Sequence, residues 1–274
     1  MIKNLIYYDN IIKKASRANS NIREDFIFFL KEKLNFKDRD IYLIKEKTLT
    51  DNEDALINDF IEKKQQGIPL AYILNSSKFY DQEFYVDERV LIPRPETELL
   101  VDFIIEQDFS KIKILDAGTG SGCIGISLAL KNPTLELYGS DFSMDSLNVA
   151  KINKNNLKAD NFYLIHADWL SCFKEKSFDL IVSNPPYIGK KDPHLTNLTF
   201  EPSHALIATQ NGFGDIKKII KHSTKILKKK GILLLEHGFD QSNEIKKTLV
   251  EYGFSSIHTI KDYQNHQRVT FGTL

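Results

Sequence analysis

Between Lys111 and Leu235 five short apolar runs, 112–115, 135–139, 162–165, 178–182 and 232–235, alternate with amphipathic stretches. Few architectures accept that pattern. Apolar runs of this length separated by helical stretches read as buried strands, and strands joined by helices pair in parallel with helices covering the sheet. Beyond them, 255–261 and 268–272 are joined by a short polar segment, which suits an antiparallel hairpin at the sheet edge. The expected fold class is therefore α/β, a doubly wound, mainly parallel seven-stranded sheet.

The first quarter of the chain reads differently. Leu5, Ile6, Ile11 and Ile12, then Ile22, Phe26, Phe29 and Leu30, have the spacing of apolar helix faces. Asn21 with Glu24, and Thr50 with Glu53, have the form of helix N-caps, and the helix from Asp51 is expected to stop at Gly67, before Pro69. Residues 1–74 are thus expected to form a small helical domain. Residues 75–95 form a link, with a hairpin over 78–86 and an extended run Val90-Leu91-Ile92-Pro93, and residues 96–274 form the sheet-bearing domain. Pro95 with Glu96 and Glu98 suits the start of that domain's first helix.

Composition narrows the setting. Cys123 and Cys172 are the two cysteines, too few for a disulfide framework, and both read as packing residues in a reducing cytosol. No run approaches the roughly 20 apolar residues of a membrane span, and no secretory signal opens the chain. A soluble, intracellular protein is expected. Lys+Arg and Asp+Glu both number 37, so the molecule carries no overall excess of positive charge to neutralise a nucleic-acid backbone. The clearest basic run, Lys228-Lys229-Lys230, reads as the charged end of a helix before Gly231. No grouping has metal-ligand spacing, and neither a P-loop nor a nucleophile elbow is present.

The candidate site collects at the carboxyl ends of the expected strands, where open α/β sheets bind ligands. Asp116-Ala117-Gly118-Thr119-Gly120-Ser121-Gly122 follows the first strand, and its glycines let backbone turn sharply and approach a ligand. Asp141 closes the second, placed to accept hydrogen bonds from a ribose, in a dinucleotide or in S-adenosylmethionine alike. His166-Ala167-Asp168-Trp169 follows the third, with Trp169 placed to cover an adenine and Asp168 to accept from its amine, while His166 reads as structural. Asn184-Pro185-Pro186-Tyr187 follows the fourth. Prolines lack an N–H, so their carbonyls and the Asn184 side-chain oxygen offer acceptors to one planar NH2 group, and Tyr187 offers it a face.

These residues resemble class I S-adenosylmethionine-dependent methyltransferases. The ordered set Leu91-Ile92-Pro93-Arg94-Pro95-Glu96-Thr97-Glu98, Asn184-Pro185-Pro186-Tyr187-Ile188, Glu201-Pro202, Ala205-Leu206 and Leu235-Glu236-His237-Gly238 with Gln241 narrows the resemblance to the HemK/PrmC family of release factor glutamine methyltransferases. It covers nearly the whole chain. The resemblance implies a Rossmann-like methyltransferase domain that uses S-adenosyl-L-methionine, yields S-adenosyl-L-homocysteine, and methylates the glutamine of the Gly-Gly-Gln motif in class I peptide-chain release factors. By position, Gly118, Thr119, Gly120, Ser121 and Gly122 would hold the methionine end, Asp141 the ribose, Trp169 the adenine region and Asn184 both ligands. Asn184, Pro185, Pro186 and Tyr187 would grip the glutamine, and the helical domain would help to dock the release factor. A cytoplasmic monomer without metal, membrane or direct nucleic-acid contact is expected. Asp81, Asn265 and the segment Gln210-Asn211-Gly212-Phe213-Gly214 depart from the family pattern and put local loop shape in question. The alternative is a nucleic-acid adenine or guanine amine methyltransferase using the same pocket on an exposed base.

Overall fold

In the computed structural model, which describes residues 4–15, 21–43, 47–107 and 109–274, the alternating segments pair into one seven-stranded sheet. Its strands are β1 Lys113–Ala117, β2 Glu136–Asp141, β3 Phe162–His166, β4 Phe178–Ser183, β5 Leu227–Glu236, β6 Ser255–Lys261 and β7 Gln267–Thr273. Their spatial order is β6-β7-β5-β4-β1-β2-β3. Pairing is parallel from β5 through β3, and β7 inserts antiparallel to both β5 and β6, so the sequence-based fold class holds.

Burial on both faces explains why the strands are apolar throughout. Ile114, Leu180, Val182 and Leu234 pack into one core, and their neighbours Leu115, Ile181, Leu233 and Leu235 into the other. That is the two-residue period of a strand with both faces covered. Helices Glu98–Glu106 and Cys123–Lys131 supply Leu100, Ile104, Ile126 and Leu128 to the first core. Helices Gly214–Ile226 and Ser242–Glu251 supply Ile216, Ile220, Ile245 and Leu249 to the second.

The chain divides into two compact units, Met1–Ser76 and Ser77–Leu274. The smaller is helical, with Leu5, Tyr8, Ile12, Phe26, Phe29, Leu30, Ile57 and Phe60 in its own core. Its helix Asp51–Gln65 starts on the expected capping box: Thr50 Oγ1 accepts from the Glu53 amide (3.2 Å), and Glu53 Oε2 accepts from the Thr50 amide (2.7 Å). Asn21 differs from expectation. It precedes helix Ile22–Leu34, but its backbone is already helical (φ −89°, ψ −12°) and its side chain makes no cap bond, because a capping side chain needs an extended backbone.

Two further expectations are corrected. Lys228, Lys229 and Lys230 lie in β5 and not at a helix end, since the preceding helix stops at Ile226. They bulge out between the pairs Phe178–Leu227 and Leu180–Ile232, with Lys230 at φ 65°, and Lys228 Nζ bonds Asp179 (2.7 Å). Cys123 is buried, which pushes its thiol up to about 12, whereas Cys172 is exposed and packs nothing. In the hairpin Ser77–Phe79/Gln82–Phe84 the left-handed residue is Tyr80 (φ 55°), leaving Asp81 to pair with Lys131, while Asn265 adopts φ 68° in the terminal turn. Among the described residues no helix is long and apolar enough to cross a membrane.

Phe162 of β3 locks a helix to the sheet. A Cβ added at Gly125 would lie 2.3 Å from its ring, and one at Gly139 2.4 Å. Gly125→Ala is therefore expected to cost about 1–3 kcal/mol by overpacking. In thermal melts, a Gly125→Ala/Phe162→Leu double variant should lose less stability than the two single losses summed, because the smaller side chain makes room for the methyl.

Candidate active site

Asp116 at the end of β1 organises the glycine loop from beneath. Its buried Oδ2 accepts from Thr119 Oγ1 (2.6 Å) and from the Gly125 amide (3.2 Å), joining both sides of the loop. Its Oδ1 is buried with no hydrogen-bond partner among the described residues, and burial pushes the carboxyl up to about 7. Gly118, Gly120 and Gly122 have φ values of 76°, 55° and 84°. A Cβ at Gly118 would stand 2.9 Å from the Trp169 ring, so this loop and that ring approach each other only because position 118 is glycine.

Asp141 at the end of β2 accepts from the Gly120 amide (3.0 Å) and the Ser143 amide (2.9 Å), and burial raises its pKa. The cap of helix Met144–Leu157 is Ser143, whose Oγ accepts from the Ser146 amide (3.2 Å). Asp141 is thus left to face the pocket. After β3, Ala167 and Trp169 line the same pocket. Asp168 does not, contrary to the sequence-based expectation: its exposed carboxylate takes both bonds from Lys218 Nζ (2.9 Å each). It lies in the bend beyond the end of β3. Phe142 and His204, packed edge to face at 5.1 Å, close the pocket and were not singled out from sequence.

The end of β4 is tied to the end of β1 by Ser183 Oγ, which donates to the Ala117 carbonyl (2.6 Å). Asn184 follows immediately. Its Nδ2 donates to Thr97 Oγ1 (2.9 Å), and the Thr97 hydroxyl donates to Glu236 Oε2 (2.7 Å). The Tyr187 hydroxyl reaches the other oxygen, Oε1 (3.4 Å). Glu236 is 1% exposed, and burial pushes it up to about 7; burial also raises the Tyr187 phenol, which stays protonated.

Two cavities meet at Asn184. One is lined by Gly118, Thr119, Gly120, Ser121, Asp141 and Trp169 together with Asn184 and Pro186. The other is lined by Asn184, Pro185, Tyr187 and Ile188. Leu91, Arg94 and Ala205 border both. Arg94 pairs with buried Glu201, which also accepts from the Ile92 amide (3.0 Å), pinning the segment before Pro95 beside both cavities. Gln241 Nε2 donates to the Tyr187 carbonyl (3.1 Å) and its Oε1 accepts from the Gly238 amide (2.9 Å), holding the backbone that follows the two prolines. Gly212 is required here, since a Cβ would fall 2.2 Å from the Tyr187 oxygen. Of the residues expected to hold the ligands, Gly122 and Asp168 line neither cavity; Gly122 turns the loop into its helix. Roles for Thr97 and Glu236 were not legible from sequence, although an acid closing the apolar run 232–235 is the signal that marks one of them.

Asp116 makes stability depend on pH with a defined sign. Between about pH 4 and pH 7 the folded chain holds a proton on this group that the unfolded chain releases, so its contribution falls as pH rises through that window. Asp116→Asn keeps an acceptor for Thr119 and Gly125 but cannot ionise. The melting temperature of the variant, minus that of the parent, is expected to rise from pH 5 to pH 8; a constant difference would show that Asp116 does not titrate there.

A family model described as a methyltransferase domain matches residues 108–270. The chain is 37% identical to the release factor glutamine methyltransferase of Shewanella oneidensis, over 85% of this chain and 82% of that protein. It is 36% identical to the Escherichia coli protein of the same name, over 83% of each chain. To that of Coxiella burnetii it is 33% identical over 95% of both. Likeness of this extent spans both the helical and the sheet-bearing unit, and the chain belongs to the family of release factor glutamine methyltransferases.

Proposed function

We propose that this protein transfers a methyl group from S-adenosyl-L-methionine to the side-chain nitrogen (N5) of the glutamine in the Gly-Gly-Gln motif of class I release factors. One observation carries the reading: Asn184 borders both cavities, so a ligand in the glycine-loop cavity and a side chain in the Asn-Pro-Pro-Tyr cavity meet at one residue. The family relatives carry this activity in their names. We assign the first cavity to S-adenosyl-L-methionine. Trp169 offers a flat aromatic face and Asp141 a carboxylate for ribose hydroxyls, both in its lining. When bound, this group supplies a methyl on a sulfonium centre and leaves as S-adenosyl-L-homocysteine.

The protein's share of the chemistry is positioning. An amide nitrogen is a poor nucleophile because its lone pair is delocalised into the carbonyl, so orientation and transition-state electrostatics must supply the rate. Asn184 Oδ1 and the Pro185 carbonyl accept the two N–H hydrogens of the glutamine and hold the nitrogen toward the first cavity. Orientation of this kind is worth up to roughly 7–11 kcal/mol. The same two acceptors stabilise positive charge growing on nitrogen, a fixed electrostatic contribution that needs no rearrangement. Tyr187 contributes its ring and not a proton, since its hydroxyl stays protonated and is directed to Glu236. No base is needed before transfer, because the alkylated nitrogen is acidic and releases its proton afterwards. In this reading the helical unit, residues 1–74, helps to dock the release factor, and the protein works as a cytoplasmic monomer.

The test is incubation with labelled S-adenosyl-L-methionine and a class I release factor, beside a copy whose motif glutamine is replaced, with label located by peptide mass spectrometry. Label on that glutamine alone is expected. Label on naked RNA or DNA with none on release factor would overturn the assignment. Asn184→Ala is expected to lower kcat by about 10²–10³-fold, the scale of removing one preorganised hydrogen-bonding partner, with cofactor affinity changed far less; near-full turnover would remove Asn184 from the mechanism.

A further inference from the structure

A primary amide can present either an oxygen or an NH2 group to a pocket, and the two ends of Asn184 have nearly the same shape. Only the oxygen is useful here. On the reading given under Proposed function, an NH2 group facing the glutamine nitrogen would set donor against donor and repel the charge that grows during transfer. Something in the protein must therefore choose between two rotamers related by a 180° flip.

The choice is made two bonds away. An ionised carboxylate only accepts, and Glu236 is buried where water cannot supply a donor. Thr97, itself buried, has one hydroxyl hydrogen, and it goes to Glu236 Oε2 at 2.7 Å. That leaves Thr97 Oγ1 able only to accept along its remaining contact, so the atom of Asn184 at 2.9 Å must be the Nδ2 donor. Its oxygen then faces the cavities. We propose that Glu236, acting through Thr97, is a positioning residue that fixes the polarity of the Asn184 amide. Glu236 lines neither cavity, and Thr97, at the wall of the glycine-loop cavity, relays its demand for a donor to Asn184.

The isosteric change Glu236→Gln separates polarity from packing. A glutamine offers an NH2 group as well as an oxygen, so it can donate to Thr97 Oγ1, whose hydrogen then turns to Asn184 Oδ1 and stabilises the flipped amide. Protonation of Glu236 has the same consequence, because the acid too gains a donor. The groups around that carboxylate are Glu96 ahead of helix Glu98–Glu106, Cys123 at the start of its helix, Tyr187 after β4 and Arg268 on β7. Glu96 favours the protonated form and Arg268 opposes it, and burial pushes the group up to about 7. Loss of polarity is then expected on the acid side of neutrality.

The experiment compares parent, Glu236→Gln, Thr97→Val and Thr97→Ser in S-adenosyl-L-methionine binding by calorimetry, in release factor methylation from pH 5.5 to 9, and in side-chain NH2 exchange of 15N-asparagine-labelled protein. The Asn184 signal is identified by its loss in Asn184→Ala. Glu236→Gln and Thr97→Val are expected to lower kcat about 10–100-fold, and Glu236→Gln, whose site lines neither cavity, should keep cofactor affinity within threefold of the parent. Thr97→Ser, which keeps the hydroxyl, should retain most of the rate. Parent activity should rise with pH through an ionisation near neutrality that Glu236→Gln lacks. The Asn184 NH2 group should exchange slowly in the parent and Thr97→Ser, and faster in Glu236→Gln and Thr97→Val. Unchanged exchange in Glu236→Gln, or parent-like kcat and pH profile, would overturn the proposal. Exchange is read without substrate, so a parent that does not methylate release factor refutes the proposed function while the amide polarity is still decided.

Discussion

Strands β1 and β4 lie side by side although more than sixty residues separate them in the chain, with Asp116 paired to Val182. The catalytic edge depends on that pairing. Beyond the last register pair, Ser183 hands a buried hydrogen bond to the Ala117 carbonyl, so the two strands stop together. One then releases the glycine loop and the other releases Asn184. This is also where the order of the sheet reverses, since β1 continues through β2 and β3 on one side while β4 and β5 lie on the other. Crossovers diverge at such a point and leave a crevice between them. Both cavities open there because nothing else can fill it.

Buried charge sets the second layer of organisation. Asp116, Asp141 and Glu236 all sit at the ends of strands with little or no exposure, and burial raises the pKa of each. A desolvated carboxylate is tolerated only where donors surround it, and each has recruited local ones. Asp116 gathers Thr119 and Gly125, Asp141 gathers Gly120 and Ser143, and Glu236 gathers Thr97 and Tyr187. The first two shape the glycine loop that lines one of the two cavities. The third joins Thr97, ahead of a helix, to Asn184 and Tyr187 across the sheet edge.

Much of this was legible because periodicity and punctuation are local. The five apolar runs became β1 to β5, each ending one or two residues later than read, the first two starting one residue later and the last five residues earlier; the terminal hairpin paired as expected, and Thr50 with Glu53 formed its capping box. The misreadings share a cause. Lys228 to Lys230 looked like a helix end because charge after an amphipathic stretch has that local meaning, and only the pairing of flanking Leu227 and Ile232 with β4 and a bond from the Lys230 amide to Leu274 keep them in a strand. Asp168 looked like a ligand residue because it stands beside Trp169, and Lys218 on a distant helix claims it instead. Cys172 and Asn21 likewise depended on neighbours that composition does not show.

The sequence by itself determined the strands, the helices and the residues delivered to one edge, because a period of two or 3.6 and a run of glycines or prolines act through bonds a few residues long. Tertiary structure alone decided which of those residues share a cavity and in what orientation. Asn184, Thr97 and Glu236 are separated by up to 139 positions, and their bonds exist only once the sheet has closed around them. A hydrogen bond carries direction that residue identity does not, so the order of donors and acceptors becomes readable only when all three side chains stand in place.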